Sequence, residues 1–448
     1  MKITGRGDNM AKYFGTDGIR GKANEVLTPE LALHLGKAAA LLTRDQEKPC
    51  VLIGKDTRVS GYMLENALAA GFMAAGVEVL LLGVIPTPGV AALCRVYGAP
   101  GAVISASHNP YYDNGIKFFS AQGAKLPDEA QEQIEELLER PIMHSTSLGR
   151  LTVVPGAAQQ YMDILLDAQN PCLRGMKLAI DCANGAASPI AAGLLRRLGA
   201  EVIELASQPD GYNINENCGS THPEQLQQVV TEHGAALGLA FDGDADRLIA
   251  VDEHGAIVDG DIMLTLMSQH MRSKGRLSND CVVITQMCNM ALRLRMREQG
   301  VNLIESKVGD RYVLEKMLQN GACLGGEQSG HLILSEYNST GDALAASLYL
   351  LSMLLESGDS FGSLTADLQL FPQSHINVPV KFKEGFATDK EIGAVIAAAE
   401  RELTGQGRVL VRASGTEPLL RVMTEGPDAA VLQRLSQSIA DIIGRNLN

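Results

Sequence analysis

Three acidic residues alternate in one short run of the sequence, Asp242, Asp244 and Asp246. Carboxylate oxygens at this spacing can surround one hard divalent cation. The run has the spacing of an EF-hand calcium loop, but Arg247 stands where that loop requires glycine, and the apolar residues 248–251 continue as a strand. We therefore interpret the run as a magnesium site, which needs one more oxygen donor and water to complete its coordination.

A serine that could supply this oxygen is Ser107, which follows an apolar segment and precedes His108 and an Asn-Pro turn. The Gly-x-Ser-x-Gly pattern of hydrolases does not surround it, so acyl transfer is not favoured. A phosphoryl carrier is the other use of such a serine, and Lys117 could neutralise its phosphate. The alternative is a plain cap between a strand and a helix.

Two further segments carry groups that suit a sugar phosphate. Glu327 and Ser329 offer an acceptor and a donor for sugar hydroxyls, and His331 could move a proton. Residues 412–421 combine hydroxyls, backbone amides and guanidiniums, which is typical of a site for a phosphate monoester. Each segment alone is also compatible with an ordinary glycine-containing turn. The other candidate substrate-binding residues are Lys307, Asp310, Arg311, Arg412, Ser414, Gly415, Thr416 and Arg421.

The elements that must position these loops repeat along the chain. Three stretches follow one order of buried strand, polar turn, helix, second strand and third strand. The third strand is followed by the Ser107 segment in the first stretch, by the acidic run in the second and by the segment with Glu327 in the third. The predicted third strands are residues 101–104, 234–241 and 321–324. Strands that alternate with helices predict βαβ units in mixed, mostly parallel sheets, whose ligands bind at the carboxyl ends of the strands.

The predicted fold class is therefore α/β, with three similar mixed domains and a smaller α+β C-terminal domain around a central cleft. A length of 448 residues is compatible with several domains. We expect a phosphoserine domain, a metal-binding domain, a sugar-binding domain and a phosphate-binding domain, with the bounds 1–155, 156–258, 259–372 and 373–448.

Composition excludes several other classes of protein. The net charge of −14 argues against binding to nucleic acid or to an anionic membrane. The eight cysteines include no Cys-x-x-Cys pair, so neither a zinc site nor a disulfide framework is indicated, and a reducing cytoplasm is expected. The longest apolar helical stretch, 343–355, is shorter than the roughly 20 residues of a membrane span. We interpret residues 1–9 as a polar tail without targeting content.

Five segments, taken in order, resemble the motifs of the α-D-phosphohexomutase family, and the resemblance covers residues 11–448. The matching segments are 14–21 for the N-terminal signature, 105–110 for the phosphoserine loop, 242–247 for the metal loop, 326–331 for the sugar loop and 412–421 for the phosphate loop. No matched catalytic position departs from the family pattern.

This resemblance implies an isomerase that converts glucosamine 6-phosphate to glucosamine 1-phosphate. It implies a phosphate on Ser107 that completes a Mg²⁺ site with Asp242, Asp244 and Asp246, and a glucose or glucosamine 1,6-bisphosphate as activator. The implied partner is a small-molecule hexosamine phosphate, with no nucleic acid and no membrane. The oligomeric state is left open, with a homodimer as one alternative.

The implied catalytic set is Ser107, His108, Lys117, Arg20, Arg247 and His331. Arg20 and Lys117 would steady the transferring phosphoryl group, His331 or Lys307 would act as the base, and His108 would support them. Two alternatives stay open at this point. One is a mutase for glucose or mannose phosphates, and the other is a sugar-phosphate binding protein without enzymatic activity.

Overall fold

The computed structural model describes residues 13–15, 17–140, 146–414 and 418–447. The described chain divides into two compact units. The first contains the residues up to Met287 together with Val301–Thr365, and the second contains Cys288–Gly300 and the residues from Ala366 onward. Three β-sheets lie in the first unit and one lies in the second.

The first sheet has six strands, and four α-helices belong to the same segment of the chain. The strands are β1 (Ile19–Lys22), β2 (Cys50–Lys55), β3 (Glu78–Val84), β4 (Gly101–Ile104), β5 (Asp113–Phe119) and β6 (Leu151–Val153). The helices are α1 (Pro29–Ala39), α2 (Val59–Ala74), α3 (Thr87–Tyr97) and α4 (Asp128–Leu138). The spatial order of the strands is β1-β5-β4-β2-β3-β6.

The second sheet has five strands in the order β11-β10-β9-β7-β8. These strands are β7 (Lys177–Asp181), β8 (Glu201–Leu205), β9 (Leu237–Phe241), β10 (Leu248–Asp252) and β11 (Ile257–Val258). The helices of this segment are α5 (Ala157–Ala168), α6 (Ala191–Arg197) and α7 (Glu224–His233).

The third sheet has four strands in the order β13-β12-β14-β15. These strands are β12 (Cys281–Thr285), β13 (Asn302–Ser306), β14 (Leu324–Gly326) and β15 (Leu332–Leu334). The helices of this segment are α8 (Gly260–Ser273), α9 (Met290–Glu298), α10 (Asp310–Asn320), α11 (Ala343–Ser357) and α12 (Phe361–Thr365). Helix α9 belongs to the second unit.

The fourth sheet is antiparallel, with the order β16-β18-β17. Its elements are β16 (Gln373–Pro379), α13 (Lys390–Glu402), β17 (Arg408–Ala413), β18 (Leu419–Glu425) and α14 (Ala429–Asn446). Helix α14 begins after Asp428, whose side chain accepts hydrogen bonds from two backbone amides of the first turn. Its apolar face, with Ile439 and Ile443, is buried in the core of the second unit.

The first three sheets share one four-strand arrangement, which confirms the predicted repeat. The orders β5-β4-β2-β3, β10-β9-β7-β8 and β15-β14-β12-β13 correspond strand for strand. In each, three strands are parallel and the outer one is antiparallel to its neighbour. The polar loops after β4, β9 and β14 therefore occupy equivalent positions, at the carboxyl end of a central strand.

The polar turns that follow the first strand of each repeat also share one hydrogen-bonding pattern. The side chains of Asp56, Asp181 and Thr285 each accept a hydrogen bond from the backbone N–H two residues further on, at 3.0, 2.9 and 3.3 Å. Such side-chain turns end a strand with its backbone groups satisfied. The bonded position is Arg58 in the first repeat, Ala183 in the second and Met287 in the third.

Two predicted strand starts were wrong by three residues. The third strands begin at Leu237 and Leu324, because Gly234 and Gly321 end the preceding helices in the left-handed conformation, with φ values of 61° and 63°. Among the described residues, no helix is long and apolar enough to cross a membrane.

Candidate active site

The side chain of Ser107 points at the acidic run. Ser107 follows strand β4, is 1% exposed and has a positive φ of 53°. Its Oγ donates a hydrogen bond of 2.6 Å to Oδ2 of Asp242 and lies 3.3 Å from Nδ1 of His108. The serine loop and the acidic loop, predicted separately, thus meet in one site.

The two loops also touch through their backbones. A β-carbon at Gly243 would lie 2.5 Å from the carbonyl oxygen of Ser107, closer than side chains tolerate. Glycine at this position therefore lets the acidic loop lie directly against the serine loop.

All three carboxylates of the acidic run are buried, and they differ in their surroundings. Oδ1 of Asp242 accepts hydrogen bonds from the backbone amides of Asp246 and Arg247, at 3.1 and 3.2 Å. Burial raises the pKa of Asp242 well above its usual range, and the charges of Asp246 and Asp244 add to that rise. The two backbone hydrogen bonds show that the acidic loop folds around the carboxylate of Asp242.

Asp244 is held by two donors on one oxygen. Thr87 Oγ1 donates to its Oδ2 at 2.6 Å, and Lys117 Nζ donates to the same oxygen at 2.9 Å. Burial acts to raise the pKa of Asp244, but the charge of Lys117 together with the hydrogen bonds from Thr87 and Lys117 outweighs burial and lowers this pKa below its usual value. Asp244 therefore stays ionised more readily than Asp242.

The acidic run fits a divalent cation. Its three carboxylates have ligand atoms within 4.8 Å of one another. Oδ1 of Asp244 and Oδ1 of Asp246 are buried and have no hydrogen-bond partner among the described residues. Because a buried carboxylate oxygen is costly without a partner, this donor set suits a hard cation such as Mg²⁺.

Lysine and histidine side chains alternate with carboxylates in a closed ring that includes Asp246 of the acidic run, and we call this ring the charge ring. Lys117 Nζ lies 2.9 Å from Asp17 and 3.8 Å from Asp246, whereas Lys125 bridges Asp17 and Asp310. The members of the charge ring, in order, are Asp17, Lys117, Asp246, His331, Asp310 and Lys125.

His331 completes the charge ring from the third sheet. Its Nε2 lies 3.5 Å from Asp310 Oδ2 and 4.0 Å from Asp246 Oδ2. Although the side chain is 2% exposed, neither ring nitrogen has a hydrogen-bond partner among the described residues. A β-carbon at Gly341 would lie 2.5 Å from the His331 ring, so glycine allows the close packing that fixes the imidazole. The imidazole is thus held beside the acidic run with unused donor and acceptor capacity.

The remaining predicted catalytic residues are two arginines, which lie beside acidic residues of the site, and His108, which lies beside Ser107. Arg20 pairs with Asp17, and Arg247 Nε lies 3.8 Å from Asp246. Burial, followed by the charges of Arg247 and Arg20, lowers the pKa of His108 to about 4. His108 is therefore neutral at neutral pH.

The predicted sugar-binding residues lie in loops that follow strands of the third sheet and at the start of α10. Glu327 Oε1 accepts a hydrogen bond of 2.9 Å from the backbone N–H of Gly309, and Ser329 is exposed. Lys307 is exposed, with Nζ 5.7 Å from the centre of the Tyr312 ring. Two more of these candidates are engaged by neighbours: Asp310 contacts Lys125, and Arg311 contacts Asp128.

In the second unit, the predicted phosphate loop connects β17 to β18. Arg412 and Arg421 are directly opposite in the register of these antiparallel strands, so both side chains lie on one face. The backbone N–H of Ser414 donates to Leu419 across the loop at 3.0 Å. Like charges opposite each other repel, so this face suits an anion. Gly415 and Thr416 lie outside the described residues.

Sequence reasoning missed several residues that the structure brings to the site. They are Asp17, Arg58, Thr87, Lys125 and Asn215. Asp17 lies within the N-terminal motif, and Arg58 lies in a repeated polar turn, so both carried a sequence signal. Thr87 and Asn215 carried none, because only the packing of separate segments brings them to the acidic and serine loops.

Four family models match the chain one after another. All are described as phosphoglucomutase/phosphomannomutase: α/β/α domain I at residues 11–143, α/β/α domain II at 159–255, α/β/α domain III at 259–371 and the C-terminal domain at 376–442. Three α/β/α domains followed by a different fourth domain agree with the predicted fold class.

Named relatives extend over the full length of the chain. Phosphoglucosamine mutase of Desulforamulus reducens is 50% identical over 442 residues, which cover 97% of this chain and 100% of the relative. A phosphoglucomutase/phosphomannomutase family protein of Burkholderia thailandensis has a TM-score of 0.82 at 28% identity, covering 97% of this chain and 98% of that one.

A more distant solved structure has a ligand bound. Aspergillus fumigatus N-acetylphosphoglucosamine mutase in complex with GlcNAc-6P and magnesium has a TM-score of 0.71 at 17% identity, covering 98% of this chain and 96% of that one. At this identity the likeness concerns the fold alone.

Proposed function

The chain belongs to the phosphoglucomutase/phosphomannomutase family of isomerases, and on this premise we propose that it interconverts glucosamine 6-phosphate and glucosamine 1-phosphate. The reaction would supply the precursor of UDP-N-acetylglucosamine and of the cell wall. One observation carries the proposal: the Ser107 hydroxyl lies 2.6 Å from a buried carboxylate of the acidic run. The 50% identity with a phosphoglucosamine mutase supports the choice of sugar.

In the proposed mechanism, Ser107 carries the phosphoryl group between substrate molecules. A hydroxyl of the sugar attacks phosphorus, the bond from phosphorus to Ser107 Oγ breaks, and a bond to the sugar oxygen forms. The resulting 1,6-bisphosphate turns around and returns its other phosphoryl group to Ser107. Glucose or glucosamine 1,6-bisphosphate would charge a serine that has lost its phosphate.

Charge stabilisation is the main task of the protein in such a transfer. We propose that Asp242, Asp244 and Asp246 hold Mg²⁺ together with the Ser107 phosphate. The ion would supply positive charge to the phosphoryl oxygens. Lys117 and Arg247 add fixed positive charge in the same buried site, where electrostatic interactions are strong.

The sugar hydroxyl must lose its proton as it attacks. Of the two candidate bases, we propose His331, because its imidazole is buried next to the acidic run and has unused hydrogen-bonding capacity. Lys307 is exposed, with its ammonium near the Tyr312 ring. Asp310 then orients His331, and His108 stays a neutral supporting group beside Ser107.

We propose one role for each of the four segments. Residues 1–155 carry the phosphoserine, 156–258 the metal ligands, 259–372 the sugar contacts and 373–448 the site for the phosphate that does not react. In the third segment, Glu327 and Ser329 would contact the sugar hydroxyls, with Lys307 and Arg311 near the sugar phosphate. We further propose that the enzyme acts in the cytoplasm on a small-molecule hexosamine phosphate, either as a monomer or as a homodimer.

A panel of sugar phosphates tests the proposed function. Purified protein with Mg²⁺ and a trace of 1,6-bisphosphate is expected to convert glucosamine 6-phosphate with a higher kcat/KM than glucose 6-phosphate or mannose 6-phosphate. The family match alone also accommodates a mutase for these other sugars. A preference for glucose or mannose would identify that activity, and binding without turnover of any of the three would identify a binding protein.

The proposed phosphate loop is tested by Arg421→Ala. If one loop binds the distal phosphate in both orientations of the bisphosphate, the variant loses a charge-assisted hydrogen bond with either substrate. We expect affinity for glucosamine 6-phosphate and glucosamine 1-phosphate to weaken together, by about 1.5–3 kcal/mol each. Steady-state kinetics in both directions measure this effect.

Arg434→Ala is the matched control, because Arg434 is an exposed arginine of α14 that pairs with Glu402. It should leave both affinities unchanged. An Arg421→Ala variant that is impaired in one direction only, beyond what the overall equilibrium constant allows, would show that the two phosphates use separate sites.

A further inference from the structure

Two side chains with no role in the mechanism above hold the turn that carries Ser107. The carbonyl oxygen of Ser107 accepts a hydrogen bond from Arg58 Nη2 and another from Asn215 Nδ2, both at 2.9 Å. The carbonyl oxygen of Asn109 accepts from the same two nitrogens, at 2.8 and 3.0 Å. We call this pair the Arg58–Asn215 clamp.

Arg58 directs almost all of its donors at this single turn. The side chain is 0% exposed, and Nη1 donates to the carbonyl oxygens of Pro110 and, at 3.1 Å, of Asp113. Nε donates to Asp56 at 2.8 Å, which compensates the buried charge. A buried guanidinium bonded to three carbonyl oxygens of the turn and to one at the start of β5 restricts the conformation of that turn.

The turn needs such support because the backbone of Ser107 is left-handed, with φ at 53°. This conformation costs a residue with a β-carbon about 1 kcal/mol and persists only where the surroundings impose it. Relaxation to a negative φ would turn Oγ away from Asp242. The clamp therefore acts on the direction of the reacting oxygen.

Asn215 acts from the segment that carries the acidic run. Its backbone N–H donates to the carbonyl of Ala183 at 2.9 Å, which anchors it to the turn after β7. A β-carbon at Gly243 would lie 2.9 Å from Asn215 Nδ2, so the amide lies directly against the acidic loop. Asn215 thus links the position of Ser107 to that of the metal ligands.

We propose that Arg58 and Asn215 are positioning residues that hold the Ser107 oxygen in line with the acidic run. Their substitution slows phosphoryl transfer through Ser107 and leaves sugar binding intact. This inference rests on the proposed function for its kinetic consequence, but the order of the turn can be measured without any activity.

Asn215→Asp is the decisive variant. Aspartate has the same size and tolerates the left-handed φ of 57° at this position, but it replaces two donated hydrogen bonds by a carboxylate facing two carbonyl oxygens. We expect kcat to fall by about 100-fold with KM for the sugar phosphate unchanged, because a small misplacement of a reacting atom has an effect of this size. Asn215→Gly, which removes the donors without adding charge, should lower kcat by about tenfold.

Asn213→Asp is the matched control. Asn213 lies in the same loop, is partly buried like Asn215, and donates to the carbonyl of Gln208 at 3.0 Å, away from the Ser107 turn. It should keep the wild-type kcat. Because Arg58→Lys replaces a fully buried group and can prevent folding, the test depends on the Asn215 variants.

Hydrogen exchange of residues 105–113 provides the readout that is independent of activity. The backbone N–H groups of Ser107 and Asn109 donate within the turn, to Ser105 Oγ at 2.9 Å and to Ala106 O at 3.1 Å. Their exchange should be faster in both Asn215 variants and unchanged in Asn213→Asp. If the wild-type protein were inactive on every sugar phosphate, the proposed function would be ruled out. The hydrogen-exchange measurement would still test whether the Arg58–Asn215 clamp orders the turn.

Three results would overturn the proposal. They are a wild-type kcat in both Asn215 variants, a raised KM at wild-type kcat, and a lowered kcat with unchanged exchange in the turn. If Asn215→Asp does not fold, Asn215→Gly decides by the same measurements.

Discussion

Replacing Ser107 with alanine is expected to abolish the phosphate on the protein and to lower kcat by about four orders of magnitude or more, because the substitution removes the hydroxyl that we propose as the phosphoryl carrier. Wild-type protein purified with Mg²⁺ should carry one phosphate, and peptide analysis should assign it to Ser107. The physical reason is the geometry: the Ser107 hydroxyl is buried, held in a left-handed turn and directed at Asp242.

Ser105→Ala is the control for this result. Ser105 is a buried serine of the same loop whose Oγ accepts the backbone N–H of Ser107 at 2.9 Å. Its loss removes this hydrogen bond and the one that Ser105 makes with Asp56, and it should lower kcat by less than about tenfold, with the phosphate still on Ser107. Phosphate found on Ser105 in the wild type, or full turnover by Ser107→Ala, would refute the assignment of Ser107.

The second large effect is expected for Asp244→Asn. The substitution keeps the shape and the acceptor for Thr87, but it removes the charge that faces Lys117 and the buried Oδ1 assigned to the cation. A buried ammonium without its counter-charge and a weakened cation site should together lower kcat by about 10³-fold or more. Calorimetric titration with Mg²⁺ should show weaker binding, and a chelator should inactivate the wild type reversibly.

Asp252→Asn separates this effect from a general cost of replacing a buried aspartate. Asp252 is 4% exposed on β10, where Oδ1 accepts two backbone N–H groups at 2.9 and 2.8 Å. Because asparagine can accept the same bonds, activity and Mg²⁺ binding should be kept. An Asp244→Asn variant with wild-type Mg²⁺ affinity and kcat would mean that the acidic run is not the metal site.

The sequence by itself determined the local chemistry of this protein. The alternation of carboxylates in the acidic run, the serine at the end of an apolar strand and the arginines of the last sheet are properties of short segments. The threefold repeat could also be predicted, because strand and helix periodicity, and the turns at Asp56, Asp181 and Thr285, depend on neighbours along the chain. The least accurate predictions were the starts of the two strands that follow Gly234 and Gly321. A left-handed glycine can end a helix or precede a strand, and the sequence pattern alone does not distinguish the two.

Only the tertiary structure decided which of these groups lie together. The contact from Ser107 to Asp242 joins residues 135 positions apart, and the charge ring joins three segments of the chain. Sequence patterns could not choose between His331 and Lys307, nor find Asn215, because the direction of a side chain and its distant partners follow from how the sheets pack. A buried charge is stable only where packing brings it a counter-charge. The charged groups of this site come from different segments, so the site forms only when the unit folds.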